Sequence, residues 1–227
     1  MAWQPVSSWK VAGEKPKVCI LDEIGCDGRP FVHTIIAETC KRADGPFVVL
    51  LSLECPLGEY VSTGRRLGHD LNLASIQTRF ASICCFADES LDLTTADAAD
   101  VMVQRVQSLK STRPVFIVLE GLHILPSLGW SLFSIMTFVK RLEDISERIC
   151  IRANRQTCHG VALSRWLANR SDTVISVQKL QSGTSRIAHG EVLFHSNERT
   201  LAALFKCTDS AVLVQPKPAN GNYKIKI

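Results

Sequence analysis

Apolar residues fall along this chain in two alternating rhythms. Short continuous runs, Lys17 to Leu21 (KVCIL), Phe47 to Leu53 (FVVLLSL), Phe80 to Phe86 (FASICCF) and Val115 to Leu119 (VFIVL), have the length of strands. They alternate too little for a strand with one wet face, and so predict strands buried on both sides in a parallel sheet. Between them the apolar positions recur at helical spacing. Val32, Ile35, Ile36 and Cys40 follow Pro30, and Gly45 closes that unit. A helix is predicted over Leu57 to Leu67, and another over Thr95 to Leu109 with Ala98, Val101, Met102, Val106 and Leu109 on one stripe. Ser127 to Arg148 reads as the longest helix, with Leu128, Leu132, Ile135, Met136, Val139, Leu142 and Ile145 along one face.

Further strands are predicted at Ile149 to Ala153 and Thr173 to Val177, flanking a helix near Val161 to Ala168. Strand-like pieces then lie around Val192 to Phe194, Val212 to Val214 and Tyr223 to Ile227, with the last turn at Pro216, Pro218 and Gly221. Strands alternating with helices predict an α/β fold with a mostly parallel central sheet and helices on both faces. The final third reads as antiparallel. Residues 1–227 are expected to form a single domain, residues 1–15 being an extended amino-terminal segment. The stretch from Val115 to Val139 is long enough to span a bilayer, but Gly121, Pro126 and Gly129 punctuate it, so strand followed by helix is the expectation and no membrane is implied.

Composition narrows the class without naming a partner. With 227 residues, 46% of them hydrophobic, the chain can bury one sizeable core, and a net charge of +4 is too diffuse for a histone-like binder of nucleic acid. Nine cysteines form no C-x-x-C pair and sit in or beside apolar runs, and the amino terminus has no charged-then-apolar order. An intracellular, reducing location is expected, and structural zinc is not.

The first strand and helix are laid out as in a P-loop protein, where G-x-x-x-x-G-K-[ST] cradles phosphate. Here the connecting segment is Glu23-Ile24-Gly25-Cys26-Asp27-Gly28-Arg29-Pro30. With Gly28 as the second glycine, Glu23 replaces the first, Arg29 the lysine and Pro30 the hydroxyl residue. Pro30 offers no N–H, and Asp22, Glu23 and Asp27 would repel a triphosphate. The second expected element, a strand ending in a magnesium-binding aspartate, is Leu119 followed by Glu120. That carboxylate reads as a solvated or capping group. No nucleophile elbow, H-E-x-x-H pair or dinucleotide fingerprint occurs, and His33, His69, His123, His159, His189 and His195 show no ligand spacing. No catalytic residue, cofactor or metal is therefore expected. Arg65 and Arg66 at a helix end, and Arg152 and Arg155 in a loop from Arg152 to His159, are candidate phosphate contacts, with ordinary solvated charge as the alternative.

Asp27-Gly28 followed by Phe31-Val32-His33, then Phe47 to Ser52, Gly64 to Gly68, Ser127-Leu128-Gly129, Leu180 to Gly190 and Tyr223-Lys224-Ile225 occur in an order that resembles the family of Elongator complex subunit six. That resemblance implies a RecA-like P-loop NTPase-type fold with a degenerate phosphate loop, in a subunit without ATPase signatures. It further implies a hetero-hexameric ring with the RecA-like subunits four and five on the Elongator core. Such a ring binds tRNA and supports wobble-uridine modification, in the cytoplasm and with the nucleus as a second compartment. Arg29, Arg65 or Arg66 would be the arginines available to a neighbour's ATP site. The alternatives are a divergent ATPase using Arg29 and Glu120, the fifth subunit of the same ring, and a standalone α/β hydrolase.

Overall fold

A computed structural model describes residues 2–6, 17–68, 70–72, 78–88, 90–109, 112–157, 160–180, 187–196 and 200–217. Among these residues ten strands form one sheet: β1 (Gln4–Pro5), β2 (Lys17–Asp22), β3 (Phe47–Ser52), β4 (Phe80–Cys84), β5 (Val115–Glu120), β6 (Arg148–Asn154), β7 (Thr173–Gln178), β8 (Gly190–Ser196), β9 (Thr200–Cys207) and β10 (Val212–Pro216). Their order is β1-β10-β9-β8-β7-β2-β6-β5-β3-β4. Strands β2 to β7 pair in parallel, whereas β8, β9, β10 and β1 continue the sheet antiparallel.

The helices are α1 (Arg29–Lys41), α2 (Leu57–Arg66), α3 (Ala98–Ser108), α4 (Leu132–Asp144) and α5 (Gly160–Arg170). Because side chains alternate along a strand, each parallel strand feeds two cores. Val18, Ile20, Val48, Leu50, Phe116 and Val118 join one cluster with residues of α1 and α2. Cys19, Leu21, Val49, Leu51, Ile117 and Leu119 join the other, with α3, α4 and α5. Phe31 on α1 lies edge-on to Phe194 of β8 and Phe205 of β9, at 6.2 and 5.4 Å between centroids. One helix thus covers the junction of the parallel and antiparallel halves.

The fold matches the expected α/β class, parallel centre and antiparallel final third, and several boundaries are corrected. Ser127 to Arg148 is not one helix. A 3-10 segment, Leu122–Leu128, containing Pro126, is followed by Gly129 at φ 89°, and Ser131 then starts α4 by accepting from the Ser134 N–H at 3.0 Å. The helix ends at Asp144, Arg148 already belongs to β6, and α4 is no longer than α1, at 13 residues each. The strand predicted over Phe80 to Phe86 gives way to a 3-10 turn at Cys85–Ala87. Strand β9, TLAALFKC, carries two adjacent alanines and went unpredicted, as did β1. The closing Tyr223 to Ile227 strand lies outside the described residues. Among the described residues no helix is long and apolar enough to cross a membrane.

A candidate site at the carboxyl edge of the parallel strands

The carboxyl ends of β2, β3, β5 and β6 meet where a P-loop protein would hold phosphate. After Asp22 the chain reverses tightly: the Cys26 N–H donates to Glu23 O at 2.9 Å, and Gly25 takes φ 79°. The buried Asp22 carboxylate then turns back under the helix and accepts from the Gly28 N–H at 2.9 Å. A Cβ at Gly28 would lie 2.8 Å from Ile20 Cγ2 and 3.1 Å from Asp22 Oδ2, so glycine makes room for this carboxylate. Asp27 Oδ1 accepts from the Arg29 N–H at 2.9 Å, Pro30 has no N–H, and Phe31 N–H reaches Gly28 O at 3.1 Å. Each amide at the entrance of α1 is thereby spent inside the chain.

Arg152 closes the site from β6. Leu119 and Ile151 are register partners in β5 and β6, so the next residues, Glu120 and Arg152, leave adjacent strands side by side. Arg152 donates to Asp22 Oδ2 from Nε at 2.8 Å and from Nη2 at 2.7 Å. Its Nη1 meets Glu54 Oε2 at 2.6 Å and also pairs with Glu120, while Nη2 is 3.3 Å from Asp27 Oδ1. Arg152 is 5% exposed, and Asp22 and Glu120 are 0% exposed. Ser52, at the end of β3, donates from Oγ to Cys55 O at 2.8 Å and accepts from the Cys55 N–H at 3.1 Å. Its Oγ also stands 3.3 Å from Glu120 Oε2.

One guanidinium thus faces four carboxylates, and the electrostatics follow from that count. Burial opposes charge on Arg152, but Asp22, Glu120 and Glu54 together hold its proton more firmly than usual. Burial raises the Asp22 carboxyl despite Arg152 and the Gly28 amide. Burial likewise pushes Glu120 up to about 7, with Arg152 pulling it down and Glu54 pushing it further up. Burial also acts on Glu54, but Arg152 reverses it and leaves that carboxyl below its ordinary value. Beside them His123 is held down by burial. Among the described residues no group of His, Cys, Asp or Glu is arranged to hold a metal ion.

No protein-family model and no curated protein matches this sequence. A crystal structure of an uncharacterized protein from Pyrococcus horikoshii, solved in complex with an unknown peptide, is similar. It covers 90% of this chain and 94% of that one, at a TM-score of 0.59 and 11% identity. At that identity the likeness shows a shared fold and nothing about activity.

The other sequence candidates fall into three places. Arg152 and Arg155 do not share a surface loop: Arg152 is a strand residue, and the half-turn after it buries Arg155, whose Nη2 donates to Ser176 Oγ at 2.8 Å. Neither guanidinium is presented for a phosphate backbone, and Glu120 is a buried member of the cluster instead of a solvated strand end. Arg29 turns outward to Asp27 at 2.7 Å, Cys55 Sγ at 3.0 Å and Glu59 at 3.4 Å. Arg65, on the last turn of α2, is tied to Asp70 at 2.8 Å. Its neighbour Arg66 lines a cleft of about 370 Å³ that Arg29, Pro30, His33 and Glu59 also border. His69 and His159 lie outside the described residues.

Sequence reasoning named Asp22 as a repelling charge but missed Glu54, Ser52 and the pairing with Arg152. An arginine inside an otherwise apolar strand, C-I-R-A, was the available signal, because a buried guanidinium demands carboxylate partners. The eight described cysteines are free thiols, and burial pushes their pKa values up, to about 11 at Cys26 and Cys55.

Proposed function

We propose that this chain is a non-catalytic, RecA-like subunit of a larger assembly, of the kind that Elongator subunit six forms with subunits four and five. In that reading it contributes interfaces to a hetero-hexameric ring that binds tRNA and supports wobble-uridine modification, in the cytoplasm or the nucleus. The observation that carries the non-catalytic part is the entrance of α1. Asp22 and Asp27 accept its first amides, Pro30 offers none, and Arg152 is already neutralised by carboxylates. A triphosphate placed there would meet negative charge, and the α1 amides of Gly28 and Arg29 already have acceptors. The layout supports the RecA-like part: a central strand runs into a helix, and an apolar strand ending in a carboxylate reaches the same edge.

The reading in which Arg29 and Glu120 serve a nucleotide finds no support, because Arg29 is turned to Asp27 and Glu59 and Glu120 to Arg152. Two measurements test the proposal. Tagged chain recovered from its native cell should bring two RecA-like partners in equal amounts, and purified chain should gain no thermal stability from ATP with magnesium. Recovery of the chain alone would end the assembly reading. Stabilisation by nucleotide would end the non-catalytic one.

A further inference from the structure

We propose that Glu120 carries a proton at neutral pH and that this proton keeps the Arg152 cluster closed, so that the carboxyl edge of the sheet loosens as the proton leaves. This inference is independent of the assembly reading.

The first support is an account of hydrogens. Ser52 has one hydroxyl hydrogen, and at 2.8 Å from Cys55 O it is used on an acceptor that has none to return. The Cys55 N–H fills one lone pair of the same Oγ. The same hydroxyl is also within donor reach of Glu120 Oε2, at 3.3 Å, so its one hydrogen faces two acceptors, and a proton on Glu120 that donates back to Oγ removes the conflict. Its other oxygen, Oε1, accepts from Arg152 Nη1. A neutral Glu120 therefore donates once and accepts once, with both oxygens satisfied. An ionised one sets a full charge against the lone pairs of a serine that has already spent its hydrogen. Rotating the Ser52 hydroxyl toward it would take the donor from Cys55 O.

The second support is an account of charge from every element packed on Glu120. Arg152 on β6 brings the one positive charge that touches it, and that charge is shared with Asp22 on β2, Asp27 before α1 and Glu54 after β3. His123, from the turn after β5, adds no compensating charge, because burial disfavours its protonated form. Tyr60 on α2, Cys55 and Cys84 present groups that burial keeps neutral. Arg155 and Arg29 are engaged elsewhere, with Ser176 and with Asp27 and Glu59. Like charges this close do not all ionise, and of the two wholly buried members Asp22 faces the donors of Gly28 and Arg152 whereas Glu120 also has an acceptor beside it, in Ser52 Oγ, so Glu120 is the one that keeps the proton. A carboxyl raised to about 7 accords with this account.

The proton is placed to matter beyond one side chain. Glu120 joins the end of β5 to Ser52 and, through Arg152, to Glu54, Asp22 and the entrance of α1. Glu54 is 30% exposed, so the turn carrying Glu54 and Cys55 is the part able to yield when charge builds up. For a carboxyl raised in the folded state, the stabilising contribution is complete below its ordinary value of 4.5 and is lost as pH rises through about 7.

Infrared difference spectroscopy of the full chain between about pH 6 and about pH 8, with thermal melts over the same range, tests the proposal. The wild type should show a protonated-carboxyl band that fades with rising pH and is missing from Glu120→Gln. Its melting temperature should fall with pH relative to that variant, whose neutral amide keeps the Ser52 contact. Parallel melting curves, or no such band at the acid end, would overturn the proposal. If Glu120→Gln does not fold, Glu54→Gln with carbon-13 in the glutamate carboxyls decides, because a glutamate band that persists in that variant excludes Glu54 and Asp22 as its source and one that vanishes overturns the proposal.

Discussion

Two arginines that share Asp27 as a partner use the same chemistry in opposite settings. Arg152 lies among Asp22, Glu54 and Glu120 inside the sheet edge, whereas Arg29 reaches Asp27, Cys55 and Glu59 at the surface. Asp27 touches both, with Oδ1 3.3 Å from Arg152 and Oδ2 2.7 Å from Arg29. What separates them is water: Arg152's side chain is 6% exposed and Arg29's 34%. Around Arg29 solvent screens the charges and takes up what a lost partner leaves behind. Around Arg152 nothing does, so each charge must be answered within the chain. A pair of similar bonds therefore has very different consequences when broken.

The largest effect should come from Arg152→Met, which takes the counter-ion from the buried Asp22 and the partly exposed Glu54 and the donor from Glu120. A loss of about 3–5 kcal/mol in urea unfolding is expected. A loss below about 1 kcal/mol would mean that the carboxylates accept protons as readily as a counter-ion. Gly28→Ala comes next, because its methyl would press on Ile20 Cγ2 at 2.8 Å and crowd Asp22. About 1–3 kcal/mol should be lost, with the same readout. Arg29→Ala should cost at most about 1 kcal/mol, and that cost should shrink further in high salt, which leaves the Arg152 effect nearly intact. Smallest of all, Arg66→Ala should change stability by no more than about 0.5 kcal/mol, since among the described residues its guanidinium makes a single long contact, 3.4 Å to Thr63.

The same contrast explains what could be read from the sequence. The runs KVCIL, FVVLLS and VFIVL were legible as strands because both faces of each are buried, which removes the alternation a half-wet strand would show. The stop between Leu128 and Leu132 was carried by small local signals, Pro126, Gly129 and Ser131, beneath an apolar stripe that ran straight across them. Strand β9 was hidden because Ala202 and Ala203 have little strand preference and are fixed by pairing with Leu193 and Val192. In the site, the departure of Glu23, Arg29 and Pro30 from a phosphate-loop pattern could be read directly, since a motif is local. Asp22 and Arg152 are 130 positions apart, and only the parallel register of β2, β5 and β6 brings them together with Glu120. No spacing rule along one chain records that meeting.

The thiols give the molecule a built-in clock. With burial holding Cys55 at about 11, almost none of it is the reactive thiolate in neutral buffer, and its sulfur rests against Arg29 beside the turn that the cluster anchors. Alkylation of this buried thiol should therefore be slow and should quicken as that corner of the protein opens. Reading out which cysteine reacts first, by mass, would rank the opening of the sheet edge against that of the deep interior, where Cys19 and Cys150 lie wholly out of solvent. The chain can thus time its own local unfolding through its native thiols, with no engineered probe.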